Sequence, residues 1–176
     1  MRSRYRSSVD LDQQFTVGVG GISDCIDSRG YEAYAMRNGD VYCELAREVG
    51  RRRVLALSSG FMTCPLAIHP QYGRCREEIV RSATTMVLVP SFELETCVAE
   101  TVRRQMTRPF ARTAAKEEVA IREQLGTYAA IPVRGVETMR PVDEVCDELL
   151  GALAALIVPD RSGLPPGGEA LIRNTD

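Results

Sequence analysis

Two aspartates one residue apart, Asp10-Leu-Asp12, close a short extended run near the start of the sequence. A carboxylate within hydrogen-bond reach of a hydroxyl is a suitable general base. The same pair also reads as a strand end that caps a turn. A second polar turn, Ser58-Ser59-Gly60, follows an apolar run and offers backbone N–H groups. Cys64 and His69 share one loop and suggest a nucleophile with its base, although no third orienting group is visible. The run Val17-Gly-Val-Gly-Gly-Ile-Ser23 has the glycines for a phosphate-cradling nest and a serine for Mg²⁺. It lacks the lysine that such loops use, and it reads equally as a helix connection. Of 22 basic residues only Lys116 is a lysine, and the pattern G-x-x-x-x-G-K-[ST] is absent.

Composition narrows the classes. The chain has 176 residues, 44% of them hydrophobic, enough for one α/β domain with a sizeable core. A net charge of −2 supplies no general attraction to nucleic acid or an anionic membrane. The basic runs at 2–6 and 51–53 read as solvated ends of elements. No apolar stretch reaches the ~18 residues of a transmembrane helix, and no apolar segment follows the charged N-terminus, so a cytoplasmic protein is expected. The six cysteines are irregularly spaced without a C-x-x-C, which suits reduced thiols, several of them buried, better than zinc.

Elements must then position the polar groups. Strands are expected near 7–12, 53–57, 84–89 and 133–137. The run 15–21 is ambiguous. Helices are expected at 23–29 and 31–49 with Gly30 between them, at 76–82, at 91–106 with Ser91 as cap, from 113 or 114 to 125, and from Pro141 to about 156. Gly39 weakens its helix by roughly 1 kcal/mol relative to alanine. Strands alternating with helices imply βαβ units, a parallel sheet, and ligands at the carboxyl ends of its strands. That edge holds Asp10, Asp12 and the 58–60 turn. The expected layout is a basic end at 1–8, one domain at 9–158 and a disordered tail at 159–176.

From about 9 to 150 the sequence resembles the shikimate kinases, piece by piece and in order. Asp10-Leu-Asp12 resembles that family's paired aspartates. Ile22 with Gly30-x-x-x-Tyr34 resembles the helix pair that closes over the substrate. The run 54–60 resembles the strand entering a triple-glycine turn. Arg104-Gln105-x-x-Arg108-Pro109-Phe110 resembles the lid, 121–128 the helix after it, and 136–138 with 141–150 the last strand and helix. The resemblance implies an α/β three-layer sandwich with a mostly parallel sheet, P-loop-kinase-like, its central first strand missing. It implies phosphoryl transfer from ATP–Mg²⁺ to a small hydroxylated acid. Asp12 would orient the acceptor hydroxyl and take its proton, and Asp10 would hold Mg²⁺ through water. Arg108 would close over the transferring phosphate, and Arg104 and Arg112 would flank the nucleotide. Arg37, Ser59, Gly60 and Arg122 would contact substrate.

The departures are specific. The family's two substrate arginines fall on Ala35 and Gln124, with Arg37 and Arg122 nearby. The triple glycine reads Ser58-Ser59-Gly60, and an expected glutamate is Thr16. Bidentate guanidinium contacts to a carboxylate are thereby lost at two positions. The family's opening strand, phosphate loop and helix have no counterpart before Asp10. The expectation is a truncated kinase, inactive as this chain alone and needing a complementing nucleotide-binding segment. The alternative is a non-catalytic pseudokinase that binds a small molecule or regulates. Neither nucleic acid nor membrane is an expected partner.

Overall fold

A computed structural model describes residues 7–47, 53–107 and 113–157. The basic end at 1–6 and the tail from 158 lie outside the described residues. The chain divides into two compact units, Met1–Glu78 and Ile79–Asp176. Both mix helices with parallel strands, so the α/β expectation holds at that level.

The first unit opens with β1 (Ser7–Asp10), α1 (Leu11–Gly18) and α2 (Ile22–Arg47). It continues through β2 (Arg53–Ala56), two short 3₁₀ turns at Phe61–Thr63 and Leu66–Ile68, and α3 (Tyr72–Arg81), which runs over the unit boundary. β1 and β2 pair in parallel, Ser8 opposite Val54 and Asp10 opposite Ala56. Parallel neighbours need a long crossover, and α1 and α2 supply it. The ambiguous run at 15–21 resolves into the end of α1 and a tight connection. The Val19 and Gly20 amides close α1 by donating to the Phe15 and Thr16 carbonyls.

Gly30 breaks α2 as its position in the sequence suggests. Its φ of 85° and ψ of 163° lie in a region essentially reserved for glycine. Beyond it, Tyr34, Asn38, Val41 and Tyr42 recur at helical spacing and are buried. Leu11 and Phe15 are fully buried, and burying each such side chain contributes about 2 kcal/mol. Tyr34 sets its ring against the edge of Phe15 at 5.1 Å, and Tyr42 meets Phe61 at 4.9 Å. The rings of both tyrosines pack, as their spacing suggests. Gly39 has a second role: a Cβ there would sit 3.1 Å from the His69 ring. The glycine that costs helix propensity lets the 66–69 turn approach.

The second unit contains β3 (Met86–Val89), α4 (Leu94–Gln105), α5 (Ala114–Ala129), β4 (Arg134–Glu137) and α6 (Val142–Ile157). β3 and β4 pair in parallel, with Met86 opposite Arg134 and Val89 opposite Glu137. Val89, Cys97, Val98, Ile121 and Leu125 form its core, covered by Val87, Phe92, Leu94 and Val102. Glu93, not Ser91, caps α4 through the Glu95 and Thr96 amides. Ser91 is drawn away to Glu137. Among the described residues no helix is long and apolar enough to cross a membrane.

Candidate functional site

The carboxyl ends of β1 and β2 lie side by side, because Asp10 pairs with Ala56. Chain geometry there separates the two aspartates. Asp10 ends the strand, and its Oδ1 accepts the Gln13 amide at 3.0 Å, so it is the N-cap of α1. Asp12 sits one position into that helix, half-buried, with Oδ1 shielded from solvent.

Two residues of α2 and one of the turn after β2 form a chain that reaches Asp12 through Tyr34. Asn38 of α2 donates Nδ2–H to the Ser58 hydroxyl at 2.7 Å, both residues being buried. The Tyr34 hydroxyl lies within hydrogen-bond reach of Ser58 and of Asp12. Burial, then the Asp12 charge, push the Tyr34 hydroxyl up to about 12, while Ser58 pulls it down. The donor inventory gives the direction of those bonds: a carboxylate only accepts, so the one Tyr34 proton goes to Asp12, and Ser58, which already accepts from Asn38, has its own proton left for the phenol oxygen. Ser58 therefore donates to Tyr34, and Tyr34 donates to Asp12. The result is a one-way chain, Asn38 to Ser58 to Tyr34 to Asp12, ending on a carboxylate. Asn38 Oδ1 is buried with no hydrogen-bond partner.

Sequence reasoning placed Asp12 and the 58–60 turn at this edge but passed over Tyr34 and Asn38 as site residues. Their signal was present as a polar asparagine on the apolar face of α2. Within the turn, the buried residue is Ser58, whereas Ser59 is exposed. A Cβ on Gly60 would stand 3.0 Å from the Tyr31 hydroxyl, so glycine admits that ring. Burial and the neighbouring Cys64 raise the Tyr31 hydroxyl further still.

The remaining predicted site residues that the structure describes have other partners. Arg37 pairs with Asp40 at 3.1 Å and lines a shallow cavity with Gln14, Val17 and Val19. Arg104 and Arg122 belong to the second unit. Arg104 pairs with Glu100 at 2.7 Å, and Arg103 and Arg104 together hold the Glu100 carboxyl down at about 2. Arg122 makes a bidentate bond to Glu95, at 2.8 and 2.7 Å, and also reaches Glu118. That geometry joins α4 to α5. Arg108 and Arg112 lie outside the described residues. Lys116 is exposed in the first turn of α5.

Two alternative chemistries lose their geometric basis. His69 accepts the Gln71 amide at Nδ1 and faces Asp40 through Nε2, so both ring nitrogens are engaged and neither serves Cys64. Cys64 instead contacts the Gly60 carbonyl, and burial raises its thiol. The glycine run at 17–23 spends two amides closing α1, so it is not a free nest for the phosphates of ATP. For Mg²⁺ the hard oxygens of Asp10 and Asp12 are suitable donors, although no group of three or more ligating side chains gathers among the described residues. Neither known family models nor curated proteins match this chain.

Proposed function

We propose that this chain carries the phosphoryl-acceptor half of a shikimate-kinase-like phosphotransferase. It binds a small hydroxylated acid and does not grip ATP by itself. The observation that carries this reading is the hydrogen-bond chain ending on Asp12. A carboxylate reached by the Tyr34 hydroxyl beside the carboxyl edge of a parallel strand pair supports a role in accepting a proton from a substrate hydroxyl. Ser58 and Asn38 hold the tyrosine in turn, so the base is preorganised.

The single lysine, Lys116, and the absence of the pattern G-x-x-x-x-G-K-[ST] from this sequence support the second clause. A strand followed by a glycine-rich phosphate loop with a lysine, supplied by another segment of polypeptide, would provide the donor site. Mg²⁺ and ATP would enter with that segment. A non-catalytic module that binds the acceptor alone remains the second reading, favoured by the loss of the family arginines at Ala35 and Gln124.

Calorimetric titration of the chain with shikimate and related hydroxy acids should saturate, while ATP should show no binding at sub-millimolar concentration. Adding a strand–loop–lysine segment in trans should then yield ATP-dependent phosphorylation. Saturation by ATP without that segment would overturn the divided-site reading. Acceptor binding with no turnover after complementation would select the non-catalytic module.

A further inference from the structure

Cys43 on α2 and Cys75 on α3 bring their sulfurs to 3.5 Å, and both side chains are buried. The contact is non-bonded; a disulfide measures about 2.05 Å, so closure needs a movement of roughly 1.5 Å shared between two side chains. Burial usually keeps thiols inert, but one of these has an approach. Cys43 lines a cavity of about 210 Å³ together with Asp40, Glu44, Arg47, His69, Pro70 and Gln71. That space admits a molecule as small as a peroxide.

We propose that Cys43 and Cys75 form a peroxide-modifiable dithiol that closes reversibly into an intrachain disulfide. In the first step the Cys43 sulfur, as thiolate, attacks one peroxide oxygen and the O–O bond breaks. Cys43 becomes a sulfenic acid, and the other oxygen leaves as water or an alcohol with the proton that Cys43 gave up. In the second step the Cys75 sulfur attacks the Cys43 sulfur, and the S–O bond breaks. The sulfenic hydroxyl departs as water with the Cys75 proton. The dithiol loses two electrons and two protons, and the peroxide gains both. The order of attack follows from access: Cys43 is among the residues that line the cavity and Cys75 is not. A dithiol reductant reverses the bridge by exchange. The bridge would tie α2, which carries Tyr34 and Asn38, to α3, with β2 and Ser58 in the loop between. It depends only on the thiol pair and stands whether or not the acceptor reading does.

The native full chain, treated with hydrogen peroxide, alkylated in denaturant and digested, tests this directly. Cys43 and Cys75 should be protected from alkylation and recovered as one cross-linked peptide, two hydrogens lighter than its parts. Dithiothreitol should restore alkylation of both. Free alkylation of either thiol after peroxide, separate sulfinic acids, or equal cross-linking to other cysteines would overturn the proposal. In Cys75→Ser, Cys43 should stall as a sulfenic acid that dimedone traps; a dimedone-negative Cys43 in that variant would also overturn it. The wild-type peptide map needs no variant to fold.

Discussion

Each unit has a pair of four-residue parallel strands with a carboxylate at the carboxyl edge, yet the two carboxylates are held differently. In the second unit Glu137 Oε1 accepts the Phe92 amide at 2.6 Å and the Ser91 hydroxyl at 3.2 Å. Next to it, Thr138 donates both its amide and its hydroxyl to the Val89 carbonyl. These bonds clamp the turn from β3 into α4, where the Phe92 ring covers the core. In the first unit Asp12 takes its bond from a tyrosine hydroxyl at the end of a side-chain chain. A backbone donor has one direction, fixed by the fold. A hydroxyl can rotate and exchange its proton. A carboxylate at a strand end is therefore not a site by itself: Glu137 takes a backbone amide together with a hydroxyl and clamps a turn, whereas the hydroxyl that reaches Asp12 belongs to a chain of side chains.

The largest expected effect tests that distinction at Asp12. Asp12→Ala should weaken acceptor binding by roughly ten- to a hundredfold, the range for losing a hydrogen bond to a charged group. Calorimetry with the same acceptor reads this directly. Unchanged affinity would make Asp12 an ordinary first-turn acid of α1, and the contrast between the units would collapse.

The units also differ in backbone regularity. Among the described residues the positive-φ glycines are Gly20 and Gly30, both in the first unit. Gly30 sets the direction of the α2 segment that carries Tyr34 and Asn38. Gly30→Ala should lower stability by about 1–3 kcal/mol, because its φ/ψ region excludes a Cβ. Urea unfolding measures it; a loss under a few tenths would mean the break relaxes and does not aim the segment. Glu137→Ala should cost about 1–2 kcal/mol, by leaving the Phe92 amide without its acceptor. It should leave acceptor affinity untouched. A change in affinity would make Glu137 more than a clamp.

Much of this contrast could be read in the sequence, but unevenly. The strands at 53–56 and 86–89 follow from apolar runs, the one at 7–10 from the aspartates that close it, and the helix break at Gly30 from a glycine between two helical segments. The pairing of β1 with β2 and of β3 with β4 was not readable, because strand order is a long-range choice with no local signature. Asp12 was visible as one of a pair, yet its two aspartates take different roles because α1 starts between them. Asp10, as the cap, could be anticipated only once that helix start was known. Tyr34 and Asn38 were hidden because aromatic and polar residues on one helical stripe look like packing until Ser58 meets them from another element. Ser91 is not the cap because α4 starts only at Leu94; it holds the preceding turn, accepting the Glu93 amide and donating to Glu137 across 46 residues of sequence.

The smallest predicted effect is the most selective. Tyr34→Phe keeps the ring against Phe15 and removes only the hydroxyl, so Asp12 loses that donor and Ser58 that acceptor. At neutral pH the variant should be less stable by about 1 kcal/mol. The gap should then change with pH in a defined sense. Tyr34 ionises near 10.0 when unfolded and at about 12 when folded. Between those values the unfolded chain sheds a proton that the folded one keeps, so the wild type loses stability as pH rises through that window. Phenylalanine has no such proton. The gap between the two proteins should therefore narrow, by an amount on the order of 1 kcal/mol. Tyr42, pushed up to about 12 mainly by burial, declines equally in both and cancels. Urea unfolding followed across that window measures the gap. A constant gap would mean that the Tyr34 hydroxyl is not buried against the Asp12 charge, and the chain of donors would then end before it reached the carboxylate.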